Sequence, residues 1–568
     1  MRERSASGAG FGLRSRALTL AGASLLVVAL AGAAPSVVPA SGPAPGSRAR
    51  EGAASESKLV SETALAVLAR GGTAVDAAVA AVFAAGVVTP TSSGLGGGGV
   101  ALVYRADAHS VTAVDFRETA PAVLDEGAYE RRPLPDEERG KLAGVPGEVR
   151  GLAWLHQHFG KKPWRELVAP AERLARDGFA LEAHMASVIG SKDEARYRRM
   201  PSIERAFYAG GKAAVLGQRV KRPELAKTLR TLGAQGPEAL YTGALAGDVV
   251  AALRKYGSTL TRDDLAHYEV RSRTPLRVTW EGYEVATMPP PSAGGLFLAE
   301  VLGTFTRAEL DKVGLTTPLG MHLMAEAMRG ALADRSRFVG DPDVLPIDMS
   351  RVLAPARLAA RKARFAPERT QPVKALASEE HGTHAFVVAD AAGNVVSLTT
   401  TVNTAFGCEV AAEQTGIVLN DQLDDFTSRA AATAVGVAFP PNIARPGRRP
   451  TSSMMPTIVL AGGSPVVAIA GSGGFAIPPS VTETLLAILV RGESPDAAVR
   501  APRFRFDSKD YTLLLDSAFG DAARDELLRR GETVRVTEAT SAVQVLTFGA
   551  AGVVGAADPR KGGTALVR

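Results

Sequence analysis

Alternation of apolar and polar positions is clearest between residues 386 and 398, where it predicts a β-hairpin. Residues 386–389 and 395–398 are rich in side chains that favour strands. The five residues between them, 390–394, contain the Asp, Gly and Asn that are typical of turns. The pattern therefore indicates two antiparallel strands joined by a five-residue loop.

The length of this loop fixes the register of the two strands. With Ala389 opposite Val395, counting outward pair by pair places Thr383 opposite Thr401. Side chains alternate between the two faces of a strand, so one face of the second strand carries a row of small polar side chains. These are Ser397, Thr399, Thr401 and Asn403. This face either lines a site or faces solvent, and the pattern alone leaves both interpretations open.

Helical periodicity precedes the hairpin. Residues 58–88 are predicted as two helices around Gly71-Gly72, with Ser61 as a candidate N-cap. The alanine-rich part at 74–86 indicates a closely packed inner helix.

Further along, residues 100–104 have the composition of a strand. Residues 145–370 are predicted to be mostly helical, with an amphipathic run at 321–338. The prolines at 289–291 indicate a rigid connector between a strand and a helix.

The N-terminus has the pattern of an export signal. Arginines precede an apolar run at 17–30, and A-x-A cleavage sequences follow it at 29–31 and 31–33. We therefore predict a signal peptide at 1–34, a disordered linker at 35–50, and a periplasmic or secreted protein. An uncleaved membrane anchor is the competing interpretation, and the lack of a cysteine near the cut excludes a lipoprotein.

Composition places the chain among ordinary globular proteins. Of 568 residues, 46% are hydrophobic and 22% are charged, which is enough apolar material for a sizeable core. The net charge of +6 is slight for this length, and there is no basic stripe with interleaved aromatics, so we expect no nucleic-acid partner. The single cysteine, Cys408, excludes an intrachain disulfide and is expected to be a small buried apolar residue.

The hairpin gives Thr383 a route to nucleophilic chemistry. A threonine hydroxyl needs a base, and a threonine that begins a chain can use its own α-amine, whose pKa is roughly 7.7–8.0. Gly382 makes the preceding peptide bond sterically open to attack by that hydroxyl, and the polar segment 371–381 is suited to release. We therefore expect the chain to cut itself between Gly382 and Thr383.

Three other candidate motifs are rejected. The sequence GLGGGG at 94–99 has the spacing of a dinucleotide-binding loop, but the strand follows it instead of preceding it, so we expect close backbone packing. His156 and His158 point in different directions on a helix, and with no other ligand cluster we predict no metal and no cofactor. Adjacent Asp424 and Asp425 would point to opposite sides of a strand, which is unsuitable for a glycosidase pair.

Together with the Thr383 hairpin, several ordered blocks carry a family resemblance over nearly everything after about residue 50. The blocks are GGTAVDAAVA at 71–80, GLGGGG at 94–99, DFRETAP at 115–121, GVPGEVRGL at 144–152, MPPPSAGG at 288–295, LNDQLDDF at 419–426, RPTSSMMPT at 449–457 and GSGG at 471–474. The chain resembles the γ-glutamyltransferases, which are self-cleaving N-terminal-nucleophile hydrolases.

The resemblance implies a set of site residues. Thr383 would be the nucleophile, Thr401 its hydrogen-bonding neighbour, and the N–H groups of Gly473 and Gly474 the oxyanion hole. The substrate-binding residues would be Arg117, Ser452 and Ser453 at the α-carboxylate, Asp425 and Gln422 at the α-ammonium, and Asn403 in the pocket lining.

It also implies a fold and an activity. The fold would be a four-layer αββα sandwich made from a large fragment, 51–382, interwoven with a small catalytic fragment, 383–568, as a heterodimer. The enzyme would cleave glutathione and other γ-glutamyl amides, and would pass the acyl group to water, an amino acid or a dipeptide. A glutaryl-cephalosporin acylase on the same fold and a non-catalytic exported γ-glutamyl-binding protein are the alternatives.

The sequence departs from the family pattern in three places. The glycine pair lacks the preceding proline of GSPGG, and His384 directly follows the nucleophile instead of lying two residues after it. Residues 427–447 contain no tyrosine, although some relatives close the pocket with a tyrosine-bearing lid there.

Overall fold

We analysed a computed structural model that describes residues 49–372, 375, 382–538 and 540–568. The predicted signal peptide, the predicted linker up to residue 48, and most of the segment before Gly382 lie outside the described residues. Among the helices that are described, none combines the length and the hydropathy needed to cross a membrane.

The strands, in chain order, are β1 (Gly52–Ser55), β2 (Gly98–Arg105), β3 (Ser110–Phe116), β4 (Phe179–Ala180), β5 (Arg219–Val220), β6 (Arg271–Arg273), β7 (Leu276–Trp280), β8 (Tyr283–Thr287), β9 (Gly382–Ala389), β10 (Val395–Asn403), β11 (Ala411–Ala412), β12 (Ile417–Val418), β13 (Thr457–Ala461), β14 (Ser464–Ser472), β15 (Phe504–Phe506), β16 (Leu513–Asp516), β17 (Val534–Thr537), β18 (Ala542–Gly549), β19 (Gly552–Ala557) and β20 (Thr564–Val567).

The α-helices are α1 (Lys58–Ala69), α2 (Ala74–Val88), α3 (Glu148–Phe159), α4 (Trp164–Asp177), α5 (Ala183–Ile189), α6 (Glu194–Tyr197), α7 (Pro201–Phe207), α8 (Pro223–Gln235), α9 (Glu238–Tyr241), α10 (Ala246–Arg254), α11 (Arg262–Ala266), α12 (Gly294–Thr304), α13 (Arg307–Val313), α14 (Pro318–Phe338), α15 (Met349–Val352), α16 (Pro355–Lys362), α17 (Arg429–Ala434), α18 (Ile477–Leu489), α19 (Pro495–Arg500) and α20 (Gly520–Arg529).

Two large antiparallel sheets form the centre of the protein. The first has seven strands in the order β20-β1-β9-β10-β2-β3-β6, and the second has six in the order β19-β18-β14-β13-β8-β7. Apolar side chains of both sheets, such as Leu102, Val387, Ile458 and Ala470, meet in one buried cluster between them. The two sheets are therefore stacked face to face.

Helices cover the outer face of each sheet. The helices α1 to α4 pack with Phe386 and Val388 on the outside of the seven-stranded sheet. The helices α12, α14 and α18 pack with Val467 and Ile469 on the outside of the six-stranded sheet. This is the four-layer αββα sandwich expected from the resemblance, and the expectation is confirmed.

Both sheets contain strands from either side of the Gly382-Thr383 bond. In the seven-stranded sheet β9 lies between β1 and β10, and in the six-stranded sheet β13 lies between β8 and β14. The parts before and after this bond consequently share both sheets and the core between them. Where the chain is cut remains a prediction.

The predicted helices before the hairpin are present, with one correction. The chain does form two helices around Gly71-Gly72, and every residue of the alanine-rich α2 is buried. The N-cap of α1 is Ser57 and not Ser61, because the helix begins one turn earlier than predicted. Ser61 instead donates a hydrogen bond to the carbonyl of Thr564 at 2.7 Å.

Other local predictions are also confirmed. The helix α14 includes the amphipathic run at 321–338, and the prolines at 289–291 connect β8 to α12. The glycines at 94–99 allow close strand packing, since a Cβ on Gly97 would lie 2.2 Å from the carbonyl oxygen of Thr401.

Candidate active site

The hairpin has the register predicted from its loop. Ala389 pairs with Val395, and Thr383 lies directly opposite Thr401. The polar face of β10 is buried, because Ser397, Thr399, Thr401 and Asn403 are at most 3% exposed. The interpretation that this face meets solvent is therefore wrong.

Alternation along β9 directs Thr383 into the space between the sheets. Ala385 and Val387 belong to the core between the sheets, whereas Phe386 belongs to the core under the outer helices. Thr383 has the parity of Ala385, so its side chain shares the inner face. On the same face, the Ser397 hydroxyl donates to the carbonyl of Ile469 in β14 at 2.8 Å.

The Thr401 hydroxyl is next to the bond that is predicted to be cut. It donates to the carbonyl oxygen of Gly382 and accepts from the backbone N–H of Asn403 at 2.8 Å. The contact made by Thr401 is thus with the carbonyl group before the nucleophile, whereas the sequence prediction placed it on the nucleophile itself.

Asn403 ends β10 in a backbone conformation that favours glycine, with φ at +78°. A bulge between Thr401 and Asn403 produces this turn and brings the Asn403 side chain to the carbonyl of Asp421 at 3.2 Å. Within the described residues, its Oδ1 atom is buried and has no hydrogen-bond donor. A buried acceptor without a donor is suited to receiving one from a bound molecule.

Gly473 and Gly474 follow the last residue of β14. Both have positive φ, +115° and +58°, and a Cβ on Gly473 would lie 2.9 Å from Ser541. In the turns and loops of the described chain, neither N–H donates to a backbone carbonyl. This pair of N–H groups is therefore available to a negatively charged oxygen.

Arg117 lies at the end of β3 and is 1% exposed. Its guanidinium donates to the carbonyl oxygens of Pro450 and Thr451, each at 2.7 Å, and forms an ion pair with Asp425. The predicted carboxylate clamp and the predicted ammonium partner therefore lie side by side.

Asp425 belongs to a 3₁₀ turn at Gln422–Asp425, not to a strand. It accepts from the Gln422 side-chain amide at 2.7 Å. Its neighbour Asp424 pairs instead with Arg132, at 2.8 Å. The two aspartates diverge as expected, although the reason is the turn and not the alternation of a strand.

Ser452 and Ser453 lie beside these charges but have different partners. The Ser452 hydroxyl accepts from the N–H of Met454 at 3.0 Å, and the Ser453 hydroxyl accepts from Arg335 at 2.8 Å. Arg335, from α14, was not singled out in the sequence, because an arginine on an amphipathic helix resembles any solvated charge.

A cavity of about 430 Å³ opens beside the Arg117–Asp425 pair. Its lining includes Asp425, Thr451, Asn442, Arg335 and Arg132. Asn442 was also missed in the sequence, and its side chain donates to the carbonyl of Asp425 at 2.7 Å, which holds the turn in place.

Burial sets the protonation states of several groups behind the hairpin. It lowers the pKa of His384 to about 4, so this imidazole is neutral. His384 lies on the outer face of β9, where its Nδ1 is 3.2 Å from the Thr89 hydroxyl and its ring stacks on Phe386. It therefore points away from the side of the sheet that carries Thr383.

Burial also raises the pKa values of nearby carboxyl groups. The pKa of Glu118 and that of Glu148 rise to about 8, and that of Asp421 rises to about 7. The described residues contain no cluster of three potential metal-ligating acids, histidines or cysteines. Cys408 is buried as expected, and burial raises the pKa of its thiol.

Comparison with known proteins places these features in a family. The Gamma-glutamyltranspeptidase family model matches residues 60–567. A glutathione hydrolase proenzyme of Escherichia coli is 32% identical over 90% of this chain and 91% of its own length. Glutathione hydrolase 2 of Arabidopsis thaliana is 33% identical over 88% of this chain and 90% of its own length.

Solved structures agree with the sequence comparisons. A chain of the Helicobacter pylori gamma-glutamyltranspeptidase structure, 32% identical, covers 58% of this chain and 95% of its own length with a TM-score of 0.54. A cephalosporin acylase from Bacillus halodurans, 24% identical, covers 93% of this chain and 98% of its own with a TM-score of 0.81, which is a likeness of fold.

Proposed function

This chain belongs to the γ-glutamyltranspeptidase family, and on that premise we propose that it is a glutathione hydrolase that uses Thr383 as an N-terminal nucleophile. The observation that carries the proposal is the placement of Thr383. It is the second residue of the buried strand β9, lies opposite Thr401 and faces the layer between the sheets, and β14 is followed by the two glycines with positive φ.

The first step is self-cleavage. The Thr383 hydroxyl attacks the carbonyl carbon of Gly382, and the peptide C–N bond is exchanged for an ester. The Thr401 hydroxyl donates to that carbonyl oxygen and can stabilise the charge that develops on it. Breakage of the C–N bond frees the Thr383 amine, and water then hydrolyses the ester to release the Thr383 hydroxyl and the Gly382 carboxylate. Fragments 51–382 and 383–568 remain together as an interwoven heterodimer.

The catalytic cycle repeats this chemistry on a substrate. The free Thr383 amine takes the proton of its own hydroxyl as the oxygen attacks a γ-glutamyl amide. The N–H groups of Gly473 and Gly474 stabilise the tetrahedral oxyanion. The Thr383 ammonium returns its proton to the amine of the substrate, which departs and leaves a γ-glutamyl ester on Thr383. Water then hydrolyses this ester, or an amino acid or dipeptide takes the γ-glutamyl group.

The residues around Arg117 would hold the amino acid end of the substrate. Arg117, with Ser452 and Ser453, would bind the α-carboxylate, and Asp425 with Gln422 would bind the α-ammonium. Asn403, whose side-chain oxygen lacks a donor in the described residues, would line the pocket. A carboxylate at position 425 favours a γ-glutamyl group over a glutaryl group, which has no ammonium.

We propose further that the protein is exported, to the periplasm or beyond. The support is the apolar run at 17–30 between arginines and A-x-A sequences. Intact-mass analysis of protein recovered outside the cytoplasm would test this, since loss of about the first 34 residues is expected and retention would indicate an anchor.

One experiment tests the function directly. Purified, cleaved protein should release p-nitroaniline from γ-glutamyl-p-nitroanilide and cysteinylglycine from glutathione, with a burst that reports the acyl-enzyme. Mass spectrometry should find the trapped γ-glutamyl group on the peptide that begins at Thr383. A cleaved protein that turns over neither substrate would overturn the proposal.

A further inference from the structure

A buried ion pair bridges the two sheets beside the candidate nucleophile. The Lys561 ammonium lies 3.4 Å from the Glu56 carboxylate and donates to the Ser472 hydroxyl at 2.7 Å. The other Glu56 oxygen accepts the backbone N–H of Ala385 at 2.9 Å. Lys561, Glu56 and Ser472 are all at most 6% exposed.

Each member of this cluster belongs to a different part of the fold. Glu56 directly follows β1, in the seven-stranded sheet, and Ser472 is the last residue of β14, in the six-stranded sheet. Lys561 lies in the short turn between β19 and β20, where the chain passes from one sheet to the other. The cluster therefore connects the two sheets at one point.

Both contacts reach residues next to the reacting groups. Ala385 follows Thr383 by two residues, which is about 7 Å along a strand. Ser472 directly precedes Gly473, whose N–H group is proposed for the oxyanion hole. The nucleophile and the oxyanion donors thus lie on separate sheets, and this cluster connects the two at that end.

The charges of the cluster are satisfied as a unit. Burial on its own would raise the pKa of Glu56, but the Lys561 ammonium and the hydrogen bonds from Ser472 and Ala385 hold that pKa below its usual range. Buried ion pairs contribute little net stability on average, while removal of one partner is strongly destabilising. A buried pair at this position is therefore better explained by the geometry that it imposes than by the stability that it adds.

We propose that Lys561 and Glu56 are positioning residues for the reaction, and that they act through Ser472 to fix the oxyanion turn relative to Thr383. This rests on the proposed function of Thr383, Gly473 and Gly474. Displacement of a reacting group by about 1 Å can slow a reaction by about a hundredfold. Among the described residues, no hydrogen bond or ion pair joins the cluster to a proposed substrate-binding residue, so its effect should fall on the chemical step.

The test compares three variants as fully cleaved enzymes. Ser472→Ala leaves the Lys561–Glu56 pair intact but removes its link to β14, and Lys561→Met removes the charge. Each should slow acylation by γ-glutamyl-p-nitroanilide, measured as the burst rate, by about tenfold or more. The dissociation constant of the substrate, from the concentration dependence of that rate, should stay within about twofold. Lys561→Arg should retain more activity than Lys561→Met.

A double variant tests whether the residues act as one unit. Ser472→Ala/Lys561→Met should acylate no more slowly than the worse single variant, because both changes break the same link. If the two changes caused independent structural defects, their fold-losses in acylation rate would multiply in the double variant. If Lys561→Met does not mature, Ser472→Ala alone tests the positioning role, since it removes only the oxygen of one buried side chain.

A matched control shows whether the loss of any buried ion pair slows acylation, or only the loss of the pair beside the reacting groups. Arg329 is also buried, and it pairs with Glu532 from the opposite side of the predicted cut. Arg329→Met should lower the thermal unfolding midpoint and keep the burst rate. Wild-type burst rates in Ser472→Ala and Lys561→Met, or an equal loss in Arg329→Met, would overturn the positioning role. An inactive wild-type enzyme would instead refute the function itself.

Discussion

Arg117 and Asp425 form a buried ion pair, with their side chains 1% and 3% exposed. Gln422 donates to Asp425, and backbone carbonyls of Pro450 and Thr451 hold Arg117. The pair presents one positive and one negative group side by side, which matches the carboxylate and ammonium on the α-carbon of an amino acid. A glutaryl group, which has only the carboxylate, would engage Arg117 and bring no ammonium to Asp425.

Asp425→Asn should therefore discriminate between the two substrate classes. Truncating one partner of a buried charge pair typically costs about 2–5 kcal/mol, so kcat/KM for γ-glutamyl-p-nitroanilide should fall by about thirtyfold or more. Turnover of glutaryl-p-nitroanilide should stay equal or improve, because this substrate has no ammonium for Asp425 to bind. Steady-state kinetics on both substrates checks this.

Asp424→Asn is the matched control for that variant. Asp424 is the neighbouring residue and pairs with Arg132 at 2.8 Å, away from Arg117. Its loss should affect both substrates alike and by less. An equal loss of both substrates in Asp425→Asn would show that Asp425 only braces the turn.

A second prediction concerns maturation at Thr383. Thr383→Ala should remain a single chain without activity, since it has no hydroxyl to attack the Gly382 carbonyl. Thr383→Ser retains the hydroxyl and should still cut, and Edman sequencing of the small fragment should begin at residue 383. Full activity in an uncut wild-type chain would be incompatible with the mechanism.

The hairpin could be predicted from the sequence because its information is local. The five-residue loop and the strand propensities fix which residues pair, and Thr383 does face Thr401. The burial of the polar face could not be predicted locally, since it depends on β14 from another part of the chain, whose Ile469 carbonyl accepts from Ser397.

A third prediction follows from the hydrogen bond between Thr401 and Gly382, which the register of the hairpin alone did not predict. The Thr401 hydroxyl donates to the carbonyl of Gly382, so Thr401→Val should slow self-cleavage as well as acylation, each by roughly tenfold or more. The time course of fragment appearance measures the first effect, and single-turnover kinetics measures the second. Thr401→Ser keeps the hydroxyl and should approach wild-type rates; cleavage by Thr401→Val at the normal rate would contradict the assignment.

The residues that sequence reasoning missed share a reason. Arg335, Asn442 and Lys561 each contribute one side chain from a distant segment, and none lies in a motif with a characteristic spacing. Arg117 and Asp425 were found only because family resemblance singled them out, as their pairing joins positions 308 apart in the sequence. Pairing between distant segments is a property of the fold and leaves no local pattern.

A fourth prediction concerns Glu148, whose carboxyl is fully buried behind the hairpin. Burial raises its pKa to about 8 from the ordinary value of 4.5. Between these values the folded protein keeps a proton that the unfolded chain has lost, so the contribution of Glu148 to stability falls as the pH rises through that window.

Glu148→Gln mimics the neutral carboxyl at every pH. Relative to wild type, its thermal unfolding midpoint should therefore increase from about pH 5 to about pH 8. Glu172→Gln, at a half-buried carboxylate that pairs with Arg230 at 3.0 Å, provides the comparison for the same substitution outside the core. A difference between Glu148→Gln and wild type that stays constant with pH would mean that Glu148 is ionised throughout.

The last prediction identifies the base by its pH dependence. His384 directly follows the nucleophile and has the chemistry of a general base, but burial lowers its pKa to about 4 and its ring contacts Thr89 and Phe386 on the opposite face. The α-amine of Thr383 has an unperturbed pKa of roughly 7.7–8.0, and a base must be unprotonated to act. Activity should thus rise with pH through the titration of the amine, and His384→Asn should leave the position of that rise in kcat/KM within about 0.5 pH unit even if the overall rate falls. Loss of this limb in His384→Asn would make the imidazole the base and remove the reason for a threonine at the start of the chain.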